Sequence, residues 1–202
     1  MSRDFEHPAD EGALERARIE AYSLLGALLR QPPGHELLVR LGELQWEEDL
    51  PRPLAAGLEE VRDGSRAFSP EAVAEEFRLL FLGLGRGEIL PYASWYREGV
   101  LKAAPLARLR ADLGALGIAP VQGISEPEDH AALVCETMTL LCREEGSDSE
   151  AYARFFRKHV APWMFDFFED LRGARNAGFY RAVASLGLGV LEVDRSLAGA
   201  SG

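Results

Sequence analysis

GISEPEDHAALVCETMTLL, residues 123–141, is a loop that turns abruptly into a helix. Ser125 followed three residues later by Glu128 has the pattern of a capping box, in which each side chain satisfies a backbone N–H that the helix start leaves unpaired. Pro127 falls at the first helical position, where its missing N–H costs nothing. Beyond the cap, Leu133, Thr137 and Leu140 follow one helical row and Val134, Met138 and Leu141 the next, so one side is apolar. The other feature is charge. Residues 121–150 hold eight acids (Glu126, Glu128, Asp129, Glu136, Glu144, Glu145, Asp148 and Glu150) against one base, Arg143, and so carry −7 of the chain's −11. The helix dipole favours carboxylates in a first turn by roughly 0.3–1 kcal/mol each, which accounts for Glu126, Glu128 and Asp129. It leaves Glu144 and Glu145 unexplained, because at the far end of the helix the dipole disfavours them.

Working toward the N-terminus, residues 117–123, GIAPVQG, form a linker, and Pro105 opens a helix running to about Leu116. The segment LPYASWY, residues 90–96, sets three aromatics beside Pro91, either as core plugs or as a binding ledge. Ser69-Pro70 is a helix start, and Val73, Phe77, Leu80, Phe81 and Leu84 mark its buried face. Its end, LGLGRGE, resembles a phosphate-cradling loop only weakly. No strand precedes it and no Gly-Lys-Ser/Thr follows, so the glycines read as helix termination. Helices are expected at about 54–63, at 35–44, and from Leu14 to the break at Pro32-Pro33. Residues 1–13 read as a disordered lead.

Toward the C-terminus, Ser147 to Glu150 is a second capping box. The broad apolar arc from Tyr152 to Leu171 contains Pro162, which predicts a kink or two abutting helices near His159–Pro162. Phe179, Val183, Leu186, Val190, Val193 and Leu197 define a last helix, with a frayed tail over 198–202. No alternating strand pattern persists. The expected architecture is all-α, a compact single-domain bundle of roughly eight to ten helices over 14–197, with a hinge at 117–125 dividing 14–116 from 126–197.

The pI near 4.9 argues against nucleic acid as a partner and favours partners carrying positive charge. The start of the chain lacks the apolar run of a signal peptide, and no stretch approaches 18 apolar residues, so a soluble cytoplasmic protein is expected. Cys135 and Cys142 lie about 10 Å apart along one helix at 1.5 Å per residue, beyond the Cα separation of about 7 Å that a disulfide tolerates. Catalytic signatures are missing from the sequence. The histidines, at 7, 35, 130 and 159, accompany no nucleophile elbow, and the paired Glu-x-x-His of di-metal bundles does not occur.

Four stretches, taken together and in order, resemble one family. Glu126-Pro127-Glu128-Asp129-His130 is similar to the E-P-x-D-H signature of the TorD/DmsD/NarJ molybdoenzyme maturation chaperones. Residues 76–96, EFRLLFLGLGRGEILPYASWY, resemble the family's segment leading to P-Y-x-S-x-Y, here Pro91, Tyr92, Ser94 and Tyr96. Phe155, His159 and Trp163 resemble its F-x-x-x-H-x-x-x-W segment, and Phe179-Tyr180 fits the start of its last helix. Val134 departs from the pattern, standing where many members carry another acid.

The resemblance implies a TorD-like cytoplasmic chaperone without catalytic turnover. It would bind the twin-arginine signal peptide, or the apo catalytic subunit, of a molybdopterin oxidoreductase, aiding cofactor insertion and delaying export. It implies no required cofactor, weak guanine nucleotide binding in some members, and a monomer or a dimer that exchanges helices about the hinge. A receptor for paired guanidiniums followed by an apolar run needs carboxylates beside apolar or aromatic surface. Glu126, Asp129 and Glu136 are the candidate carboxylates and Tyr92, Trp95 and Tyr96 the candidate rings, with Ser94, Pro127 and His130 also candidate client-binding residues. His130 either orients Asp129 or caps its own helix. The alternatives are an all-helical interaction scaffold unrelated to export and a carboxylate-bridged metalloenzyme.

Overall fold

The computed structural model describes residues 11–83, 87–119, 126–147 and 149–200, and among these residues the chain forms ten α-helices and no strand. In chain order they are α1 (Glu11–Arg30), α2 (His35–Gly42), α3 (Arg52–Ala67), α4 (Pro70–Phe77) and α5 (Ala93–Glu98). Then follow α6 (Ala104–Ala115), α7 (Ala131–Glu145), α8 (Glu150–Phe155), α9 (Met164–Gly173) and α10 (Phe179–Ala200). The all-α expectation holds. Single π-helical turns, Arg78–Leu82 and Phe156–Val160, extend α4 and α8. The second of these, with Pro162 just after it, is the break expected near His159–Pro162. Ser69 caps α4 as its sequence suggests, accepting from the Ala72 N–H at 3.2 Å.

Several boundaries differ from the sequence reading. The first helix starts at Glu11, inside the expected disordered lead, and the last runs to Ala200, into the expected tail. LPYASWY holds a short helix, α5, that its composition does not announce. The second capping box is replaced by a single cap: Ser149 Oγ accepts from the Tyr152 N–H at 3.2 Å. Residues 1–10, most of the expected hinge (120–125, including Ser125), Leu84, Gly85, Arg86 and Asp148 lie outside the described residues.

The core is built around α10, which packs against α3, α9, α1 and α4. Phe179, Tyr180, Val183, Leu186, Val190 and Leu191 are fully buried along it. Full burial of each such side chain contributes about 1.5–3 kcal/mol. Two glycines let α3 and α10 come this close. A Cβ on Gly57 would lie 2.5 Å from Leu186 Cα, and one on Gly189 would lie 2.4 Å from the Pro53 carbonyl oxygen. Glu76, buried on α4, accepts from the N–H groups of Gly178, Phe179 and Tyr180 at 2.7–2.9 Å and so caps α10 from a different helix. Asp194 on α10 accepts from Arg18 and Tyr22 on α1 and from Tyr152 on α8, at 2.7, 2.5 and 2.7 Å. Arg18 and Asp194 are both 2% exposed, so this network ties three helices together from inside. The second long pairing, α1 on α7, carries the apolar face of the 123–141 stretch.

Candidate functional site

The two sequence motifs meet as a backbone pair. Ala93 N–H donates to the Asp129 carbonyl at 3.0 Å and Ala131 N–H to the Pro91 carbonyl at 2.8 Å, making a single antiparallel bridge between Tyr92 and His130. Side chains reinforce it. Asp129 Oδ2 accepts from the Ser94 N–H at 2.9 Å, and the Tyr92 hydroxyl donates to Glu126 Oε2 at 2.6 Å. The Tyr92 and His130 rings stand edge to face with centroids 5.0 Å apart.

This arrangement moves the start of the helix. His130, not Ser125, is the N-cap of α7, and its Nδ1 accepts from the Ala132 N–H at 3.1 Å. The segment before it is a turn closed by His130 N–H to the Pro127 carbonyl at 3.0 Å. Glu126, Glu128 and Asp129 therefore precede the first turn of α7 rather than lying within it. Of the two local roles open to His130, the structure shows the cap. Burial is the main cause that depresses its pKa, to about 4, against the opposing pull of Glu126. The ring is neutral at physiological pH, as an accepting Nδ1 requires. Burial, then Glu126, push the Tyr92 phenol well above its usual range, so it stays a donor.

The two rows on α7 part company. Val134, Met138 and Leu141 enter the core, while Leu133, Thr137 and Leu140 face a cleft of about 530 Å³ between α6 and α7. Leu106 and Leu113 of α6 supply the opposite apolar wall, and Glu126, Pro127 and Glu136 belong to the same lining. A smaller hollow of about 100 Å³, lined by Phe77, Phe81, Tyr92 and His130, shares Glu126 and Leu133 with the cleft. Glu126 is exposed at this junction and, among the described residues, has no cationic partner. Glu136 is paired with Arg30 of α1, and Glu128 with Arg110 of α6 at 2.8 Å.

Of the candidate site residues, Tyr92, Glu126, Pro127, His130 and Glu136 are brought together around these hollows. Asp129 and Ser94 are not surface groups: both are fully buried, and they hold the two motifs in register. Asp129 Oδ1 is buried without a hydrogen-bond partner among the described residues. The three rings do not form one ledge. Tyr92 is the extended N-cap of α5, whereas Tyr96 lies one turn inside the helix, packs on Trp163 and Phe167, and donates to Asp170 at 3.0 Å. Trp95 is half-buried and lines neither hollow.

The remaining motif residues are also internal. His159 pairs with Asp112 of α6 at 2.5 Å, and the Trp163 indole N–H donates to the His159 carbonyl at 2.7 Å, which fixes α6 against the π-turn. Cys135 and Cys142 are buried free thiols. Among the described residues no group of histidine, cysteine, aspartate and glutamate is placed to hold a metal ion, and no helix is long and apolar enough to cross a membrane. Sequence reasoning missed Lys102, which also lines the cleft, and the pairing of Arg30 and Arg110 with its acids.

The described residues thus form an all-α bundle that exposes a carboxylate beside an apolar-walled cleft. A family model described as the nitrate reductase delta subunit matches residues 47–169. The chain belongs to this family, that of the TorD and DmsD redox-enzyme maturation chaperones. It is 32% identical over 133 residues to the chaperone protein TorD of Vibrio cholerae, covering 61% of this chain and 60% of that protein. It is 30% identical over 122 residues to a Haemophilus influenzae protein assigned as the Tat proofreading chaperone DmsD, covering 59% of each. The match thus spans about 60% of the length of these curated relatives. The crystal structure of an Archaeoglobus fulgidus protein assigned as a redox enzyme maturation protein superposes with a TM-score of 0.57. That alignment covers 95% of this chain and 99% of the other at 18% identity, a likeness of fold.

Proposed function

We infer that this chain is a cytoplasmic maturation chaperone, without catalytic turnover, for a molybdopterin oxidoreductase. It binds the client's twin-arginine signal peptide, its apo catalytic subunit, or both, and holds the client back from export while the cofactor is inserted. The observation that carries this reading is Glu126. Its exposed carboxylate is oriented by Tyr92, is unpaired with any cation among the described residues, and sits where two apolar-walled hollows meet. A guanidinium is the cation whose fork best matches a carboxylate, and the apolar run that follows paired arginines matches the leucines lining the cleft. The cleft volume lies within the range of about 300–1,000 Å³ typical of ligand pockets, enough for a few side chains of an inserted segment. The names of the relatives, TorD and a Tat proofreading chaperone, support the same reading.

Calorimetry with a synthetic peptide carrying two adjacent arginines and a leucine-rich run tests it. Wild-type protein is expected to bind, and Glu126→Gln to bind about tenfold more weakly, the loss of one charge-assisted hydrogen bond. Equal affinities contradict the role of Glu126, and the absence of wild-type binding contradicts the reading itself. Weak guanine nucleotide binding and helix exchange between protomers belong to the same reading; titration with GTP and light scattering test them.

A further inference from the structure

Among the described residues, Lys102 is the one non-glycine residue in the left-handed backbone region, at φ +58°. Glycine adopts that conformation without strain, whereas a side chain bearing a Cβ does not. The strained turn is held from inside. The Lys102 N–H donates to Ser94 Oγ at 3.1 Å, and the Ser94 N–H in turn donates to Asp129 Oδ2 at 2.9 Å. The two fully buried motif residues therefore fix the position of an exposed lysine in the lining of the 530 Å³ cleft.

The charges of the cleft leave a remainder. Glu136 is taken by Arg30 and Arg110 by Glu128. Among the described residues, Glu126 and Lys102 are left without counter-ions. A cleft that offers one free carboxylate, one free ammonium and apolar walls is complementary to an apolar segment that carries a base and an acid. Resting on the reading that the cleft holds a client segment, we propose that Lys102 determines specificity. It pairs with an acidic side chain flanking the segment's apolar run, while Glu126 takes the basic residue. A segment with bases at both ends sets like charges face to face and is disfavoured.

Two synthetic peptides test this, each with paired arginines and a leucine-rich run, one ending in glutamate and the other in lysine. By calorimetry at low salt, wild-type protein is expected to bind the glutamate-ended peptide about fivefold more tightly, the upper range for an exposed charge pair. Lys102→Gly, which relaxes the backbone while removing the charge, is expected to abolish the preference, and Lys102→Glu to reverse it. Equal wild-type affinities, or a preference that survives in both variants, overturn the role of Lys102 and leave the cleft reading standing. Binding of neither peptide by wild-type protein overturns the cleft reading and this inference with it.

Discussion

Burial keeps the His130 imidazole neutral down to about pH 4, and its Nδ1 stays an acceptor for the first turn of α7. In the unfolded chain the same ring titrates near 6.5. Between these values the unfolded state binds the extra proton, so this stabilisation is complete above about pH 6.5 and is lost as the pH falls toward 4. Asparagine also caps helices but does not titrate. In urea unfolding across that window, His130→Asn is expected to show a shallower loss of stability than wild type. Equal slopes contradict the assignment. The adjacent Asp129 differs from its motif neighbour: its carboxylate accepts from the Ser94 N–H at full burial, whereas Glu126 three residues earlier is exposed.

At the scale of elements, the decisive feature is that the two rows of α7 face different surroundings. One row enters the core with α1; the other meets α6 across an open cleft. α6 is held from the cleft's far side by Asp112 with His159 and Lys158, and from the cleft itself by Arg110 with Glu128. The core pairing of α3 with α10 is closed by contrast, and its glycines set the spacing. Gly57→Ala places a Cβ 2.5 Å from Leu186 Cα, and overpacking of this kind costs about 1–3 kcal/mol. A corresponding fall in the urea midpoint at unchanged slope is expected. No change would mean that the helices part without cost.

Over the whole molecule, the Arg18–Asp194 network sets the register of α1, α8 and α10. Burial works to raise the Asp194 pKa, and Arg18 opposes it. Asp194→Ala leaves a guanidinium buried without its partner, which is expected to destabilise the fold by about 3–5 kcal/mol in denaturant titrations. A loss within experimental error contradicts an internal ion pair. Nothing local in the sequence marks this network: Arg18 and Asp194 lie 176 residues apart and each reads as a surface charge on an amphipathic helix.

The legible parts are those set by short-range rules. Apolar periodicity at 14–28 and 179–197, the proline breaks at 32–33 and the Ser69 cap all appear where expected. What depends on distant partners was not legible. The Asp129–Ser94 bond, the cap from Glu76 to α10, and the separation of Tyr92 from Tyr96 follow from how helices meet. Of the candidate residues, Tyr92, Glu126 and His130, which line one hollow, were named from the motif. The cleft and Lys102 were not, because a left-handed lysine after Gly99 carries no sequence signal of its own.

The most direct test compares wild-type binding of two peptides that differ only at the paired positions, arginine in one and glutamine in the other, at about 0.05 M and about 0.5 M salt. The arginine peptide is expected to bind the more tightly at low salt and to lose most of that advantage at high salt. Equal affinity for the two peptides, or an arginine preference indifferent to salt, would contradict recognition of a cationic leader by the exposed carboxylate.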